Sequence, residues 1–229
     1  MKKTLLALAI FATTLGSAFA AAPEGLYVMT RYWPGSGLEI AAYGFHDGNV
    51  VVNPVSSGRT LDFAAERAAH PKEVGTYKIQ GNQMIMVVNG STHQSKMEPE
   101  STGCFGWDAG IFCPVQPFKS GTTLEGTYEG GASVGGGQVM SSTGITFNRD
   151  GTYSRESVGS ASTHTADGKL SAGSIGSERG KYRIEGTALH MFPDGGKERV
   201  ISTFPFDDGT KGPAPRRIYF SGAMLKRVR

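Results

Sequence analysis

The sequence predicts an all-β protein made of two tandem repeats of antiparallel up-and-down strands, closed into barrels or sandwiches and carrying one short helix. Three observations lead there. The run EVGTYKIQGNQMIM from Glu73 to Met86 returns as ERGKYRIEGTALHM from Glu178 to Met191, and such self-similarity marks a duplicated unit. Within the runs the period is 2: Tyr77 and Ile79 alternate with Lys78 and Gln80, and Tyr182 and Ile184 with Arg183 and Glu185. One face of each strand is therefore buried and the other wet. Glycine, at 33 of 229 residues, exceeds its average usage of about 7% and supplies the turns between short strands.

Five of the eight tyrosines stand in G-x-Y, at Tyr27, Tyr77, Tyr128, Tyr153 and Tyr182. Each reads as a chain leaving a turn and anchoring its new strand with an aromatic ring. Asp47-Gly48 and Asp150-Gly151 are hairpin turns at matching places in the two copies. The first copy spans 21–120 and the second 121–229. Short hairpin-linked strands remove their edges by closing a barrel or by packing two sheets. One segment has helical periodicity: Leu61 to Ala69, with Thr60 as N-cap, Leu61, Ala64, Ala65 and Ala68 on one face and Pro71 as the stop. It is expected to plug a barrel end, with a lid over a ligand as the alternative. Ser157 to Ser177, rich in Gly, Ser, Thr and Ala, reads as a loop.

Residues 1–20 read as a signal peptide. Lys2 and Lys3 precede an apolar run from Leu5 to Leu15, and Ala18, Phe19, Ala20 end it with small residues suited to cleavage. The run is shorter than the roughly 20 residues a spanning helix needs, so no transmembrane segment is expected and the product is periplasmic or secreted. The formal charge of +3 falls to about +1 without the leader, which points to no class of partner. The basic residues near the end, Lys211, Arg216, Arg217, Lys226, Arg227 and Arg229, read as a solvated edge strand, or else as a surface for anionic headgroups. They lack the interleaved aromatics of a nucleic-acid site, and no nucleic acid is expected.

The second copy resembles the C-terminal part of uncharacterised exported bacterial domains described as lipocalin-like, of calycin type. The residues that carry the resemblance are G-x-Y-x-I-x-G from Gly180, then Leu189, Met191, Asp194-Gly195, Glu198-Arg199 and the apolar strand Ile218 to Phe220 with Gly222. The lipocalin signature has tryptophan where Tyr27 and Tyr128 stand. The resemblance implies a small barrel and brings neither an activity nor binding residues.

Catalytic residues are not expected. Gly131-Ala132-Ser133-Val134-Gly135 matches G-x-S-x-G, the motif that holds a nucleophile on a strand-to-helix turn, but glycines surround it and no helix follows, so a hairpin loop is expected. A serine hydrolase is the least favoured reading. His46, His70, His93, His164 and His190 lack metal-ligand spacing, and neither metal nor cofactor is expected. Asp207-Asp208 reads as a turn rather than a catalytic carboxylate pair. Aromatics are the better lead. Tyr32 and Trp33 run into the loop Pro34-Gly35-Ser36-Gly37, and Trp107 lies near the tip of a second hairpin. At a barrel mouth these three would line a ligand site, stacking on a sugar or an apolar ligand; the alternative is core packing, favoured for Tyr27. The expected function is thus a non-catalytic exported binding or envelope-maintenance protein holding a small apolar or glycan ligand. A protein-interaction module for another envelope protein, as inhibitor or assembly factor, is the alternative.

Cys104 and Cys113, the only two cysteines, flank FGWDAGIF, which reads as a hairpin placing them across from one another, and in an oxidising compartment they should form a disulfide. The closed loop is short, so reduction should cost at most about 2 to 3 kcal/mol and leave the fold intact. Thiol titration of the native protein without reductant should find no free thiol, and denaturant titrations with and without reductant measure the loss.

Overall fold

A computed structural model describes residues 22–35, 37–55, 61–100, 103–119, 121–134, 139–165, 168–206 and 214–229, with the backbone alone at 132–134, 139–141, 159–165 and 168–174. The expected signal peptide lies outside the described residues. The first half contains β1 (Gly25–Trp33), β2 (Gly37–His46), β3 (Asn49–Val52), α1 (Phe63–Ala69), β4 (Val74–Gln80), β5 (Gln83–Val88), β6 (Ser91–Lys96), β7 (Glu98–Pro99), β8 (Phe105–Trp107) and β9 (Gly110–Pro114). The second contains β10 (Gly126–Val134), β11 (Val139–Phe147), β12 (Thr152–Thr165), β13 (Gly168–Glu185), β14 (Ala188–Pro193), β15 (Arg199–Pro205), β16 (Arg217–Phe220) and β17 (Ala223–Arg227).

Strands β10 to β17 form a closed barrel in chain order, with β17 returning to pair with β10. The first sheet runs β6-β5-β4-β3-β2-β1-β9-β8-β7, so here too the first strand pairs with the last. Its two ends, β6 and β7, are separated by Met97 alone. Ser91–Pro99 is therefore one bent strand that pairs with β5 through its first part and with β8 through its last. At the bend the Met97 amide donates to the Asn82 carbonyl at 2.7 Å. Each copy is thus an eight-stranded, barrel-like meander. The fold class is the one the alternation predicts.

The duplication extends to individual bonds. Tyr77 donates its hydroxyl proton to the Pro23 carbonyl at 2.7 Å, and Tyr182 to that of Leu124 at 2.8 Å. The Tyr77 amide bonds the Gly48 carbonyl and the Tyr182 amide that of Gly151, both at 2.8 Å. Phe45 packs edge-on between Tyr27 and Tyr77, and Phe147 between Tyr128 and Tyr182. A side chain at Gly75 or Gly180 would place Cβ 2.0 or 2.1 Å from a carbonyl oxygen of the neighbouring strand, which accounts for the glycine before each of these tyrosines.

Four local expectations are corrected. The helix begins at Phe63 and is capped by Asp62, whose carboxylate accepts from the amides of Ala64 and Ala65 at 3.1 and 3.0 Å; the expected cap, Thr60, lies outside the described residues. The helix does not plug a barrel: its alanine face is exposed, and Leu61 instead covers the outer surface over Gly44, where only a glycine leaves room. Its buried residue is Glu66, which accepts from the Val55 amide at 2.7 Å. Of the segment Ser157 to Ser177, residues 157–165 and 168–177 are strand rather than loop, part of the long β12–β13 pair, whose register runs from Thr152↔Lys181 to Thr165↔Gly168; residues 166 and 167 lie outside the described residues. Backbone pairing there overrides side chains of weak strand preference. Nor do the terminal basic residues form an edge, since β17 is bonded on both sides by β16 and β10; Lys211 lies outside the described residues.

The two halves share an apolar cluster, in which Leu26, Val28 and Ala42 from the outside of the first barrel meet Phe204 and Tyr219 of the second. Tyr219 is fully buried and stacks on Phe204 with centroids 4.6 Å apart. Its hydroxyl donates to the Asn53 side chain and accepts from the Ala42 amide. The predicted disulfide is present, joining cross-strand neighbours whose α-carbons are 4.3 Å apart.

Burial pushes the hydroxyls of Tyr77, Tyr153, Tyr182 and Tyr219 up to about 12. The folded state therefore holds these protons more tightly than the unfolded chain, whose tyrosines titrate near 10. Their contribution to stability is complete below about pH 10 and is lost as pH rises toward 12. Urea midpoints should fall across that window together with a rise in tyrosinate absorbance; a flat midpoint would show that the rings ionise without unfolding.

Candidate functional site

The two barrels differ at one end, the end marked by the β8–β9 turn in the first and the β16–β17 turn in the second. In the first barrel this mouth is filled. Met29, Met84, Trp107 and Phe112 are buried inside it, and Trp107 donates its Nε1 proton to the Met84 carbonyl at 3.0 Å. Above them lies Arg31, only 10% exposed, with its Nη2 3.3 Å from Asp108. His93 approaches the same carboxylate oxygen at 3.4 Å, and Glu39 pairs with Arg31 at 4.0 Å. Trp33 covers the guanidinium at 5.3 Å and donates to Glu39 at 2.7 Å. Paired charges and rings close this opening.

The second barrel is hollow at the corresponding place. A cavity of about 330 Å³ is lined by Gly130 and Gly131 of β10, Thr143, Arg155, Met191, Arg199, Ile201, Phe220, the Ser221-Gly222 turn, and Ala223 and Leu225. Exposed Gly131, Ser221 and Gly222 open it to solvent. The other end is packed by Tyr128, Phe147, Tyr182, Leu124 and their neighbours.

The reason is readable by superposing the copies along their strands. Counting from Tyr27 and Tyr128 puts Met29 where Gly130 stands. Counting back from the turns Asp108-Ala109 and Ser221-Gly222 puts Trp107 where Phe220 stands, and Phe112 where Leu225 stands. Each exchange removes volume, and close-packed interiors do not spread to fill such a loss. Gly130 also admits no larger residue, because a Cβ there would lie 2.6 Å from the Met224 carbonyl oxygen.

Charge is distributed differently too. Arg155 occupies the position of Val52, and Arg199, opposite Met191, that of His93, opposite Met86. Glu178 faces Arg155 across the β12–β13 ladder, but its carboxylate accepts from the Tyr153 hydroxyl at 2.6 Å and pairs with Arg199. Arg155 lies 5.7 Å from the Phe220 ring centroid, and its buried Nε has no hydrogen-bond partner among the described residues.

Of the sequence-predicted ligand residues, Trp33 and Trp107 belong to the first barrel's mouth. Trp107 is 3% exposed, inside the packed core. Tyr32 lies on the opposite side of β1 from Trp33 and is 70% exposed, away from both. Tyr27 is core, as favoured. Ser133 lies in extended strand β10 opposite Met140, not on a strand-to-helix turn; Gly135 lies outside the described residues, as do Asp207 and Asp208. Among the described residues no group of three His, Cys, Asp or Glu side chains is arranged to hold a metal.

Gly130, Arg155 and Phe220 escaped sequence reasoning. The available signal was Arg155 itself, a charge at an inward position of the alternation begun by Tyr153.

Fold and site together define a duplicated antiparallel β-barrel protein with one filled and one hollow copy. No protein-family model, curated protein or solved structure matches the chain.

Proposed function

We propose that this is a non-catalytic, exported binding protein whose second barrel holds one small, largely apolar ligand. The carrying observation is the cavity of about 330 Å³ floored by Met191, Ile201, Phe220 and Leu225. A hollow with apolar side chains at its floor and converging polar groups around them, at the lower end of the size range of small-molecule sites, suits such a ligand. Export is supported by residues 1–20 and by the Cys104–Cys113 bridge. The first barrel serves as a packed support, docked through Tyr219.

Both tryptophans are in the first barrel, so intrinsic tryptophan fluorescence is a poor reporter of this site. The neutral probe N-phenyl-1-naphthylamine should bind the wild type with enhanced emission. Phe220→Trp, which installs the residue of the filled barrel, should weaken the probe about tenfold by occupying the space. Equal binding by wild type and variant would place the probe elsewhere and count against this reading.

A second reading, docking onto another envelope protein, is favoured by the β12–β13 hairpin, where Val158 and Ile175 oppose one another and are 49% and 86% exposed. Crosslinking from that hairpin in the native envelope should recover a stoichiometric partner on this reading and none on the first.

A further inference from the structure

We infer that the ligand of the second barrel is an amphiphile with one anionic group, and that Arg155 holds that group. The inference rests on the binding reading above and names its ligand class. Arg155 lines the cavity, yet no carboxylate among the described residues forms an ion pair with it. The acid placed opposite it, Glu178, is engaged by Tyr153 and Arg199.

A guanidinium has five N–H donors and remains charged at any physiological pH. Partly withdrawn from water, with Phe220 beside it and no carboxylate among the described residues in ion-pair contact, it is under-compensated, and burying an unpaired charge is costly. In the first barrel the comparable guanidinium, Arg31, has Asp108 and Glu39 beside it. The second barrel thus retains a cation at its mouth without a carboxylate of its own. Two arginines against one glutamate leave the rim positive, and a ligand that brings the missing negative charge completes it. Such a ligand would lay its apolar body on Met191, Ile201 and Phe220. A planar carboxylate matches the guanidinium fork best, since paired N–H···O bonds form between them.

The test compares decanoate with decanol, equal in chain length and different in charge, as competitors of N-phenyl-1-naphthylamine on the mature protein. Wild type should bind decanoate about ten- to hundredfold more tightly than decanol, the range expected of hydrogen bonds to a charged group. Arg155→Met should abolish that preference, and Arg155→Lys should keep part of it. Near-ultraviolet circular dichroism of each variant checks that it is folded, and the wild-type comparison needs no variant. Wild type binding decanol as tightly as decanoate would overturn the anionic ligand and leave the apolar cavity standing. Displacement by neither would overturn both. A preference that survives in Arg155→Met would move the anion to another residue and overturn the assignment to Arg155.

Discussion

Everything in this protein hangs on the pairing of the first strand of each copy with its last. An antiparallel meander leaves two rows of unpaired backbone groups, and closure is the arrangement that removes them. In the second copy β17 returns to β10 and the ring is complete. The first copy closes β9 onto β1 in the same way and carries the ring past β6 by bending one strand at Met97. Once closed, eight strands leave an interior that side chains just fill or that holds one small ligand. Which outcome follows is a matter of a few inward residues.

The duplicate copies show how little separates the outcomes. Both keep the same packed end, where a tyrosine hydroxyl reaches back to the carbonyl before the first strand and a phenylalanine sits between two tyrosines. At the other end methionine and tryptophan in one copy stand against glycine and phenylalanine in the other, and a solid barrel becomes a hollow one. The charges diverge with the volume. Arg31 is enclosed by acids and Trp33, whereas Arg155 faces a cavity. The solid copy also offers the hollow one a rigid base, because Tyr219 anchors the second barrel to β2 and Asn53 of the first.

Local patterning made much of the fold legible. Period-2 alternation, the repeated glutamate-to-methionine run, glycines before tyrosines and the cysteine hairpin each depend on neighbours within a few residues, and each appears in the structure. Local patterning is not enough where longer-range contacts decide. Ser157 to Ser177 has loop composition, yet its backbone finds a partner strand across the hairpin. The alanine periodicity of α1 predicts a buried face, but it is Leu61, over Gly44, that meets the barrel. The hairpin position of Trp107 is written in its neighbours, but whether a hairpin tryptophan points into a core or a mouth is set by the strands facing it.

By itself, then, the chain determined an all-β duplication with a bridged hairpin, since alternation and turn chemistry are written residue by residue. Tertiary structure alone decided that, among the described residues, the second barrel holds the cavity, and that Arg155 faces it while the carboxylate opposite is engaged by Tyr153 and Arg199. Empty volume and unspent charge are properties of strands brought together from across a closed ring. No single strand of this chain carries either one.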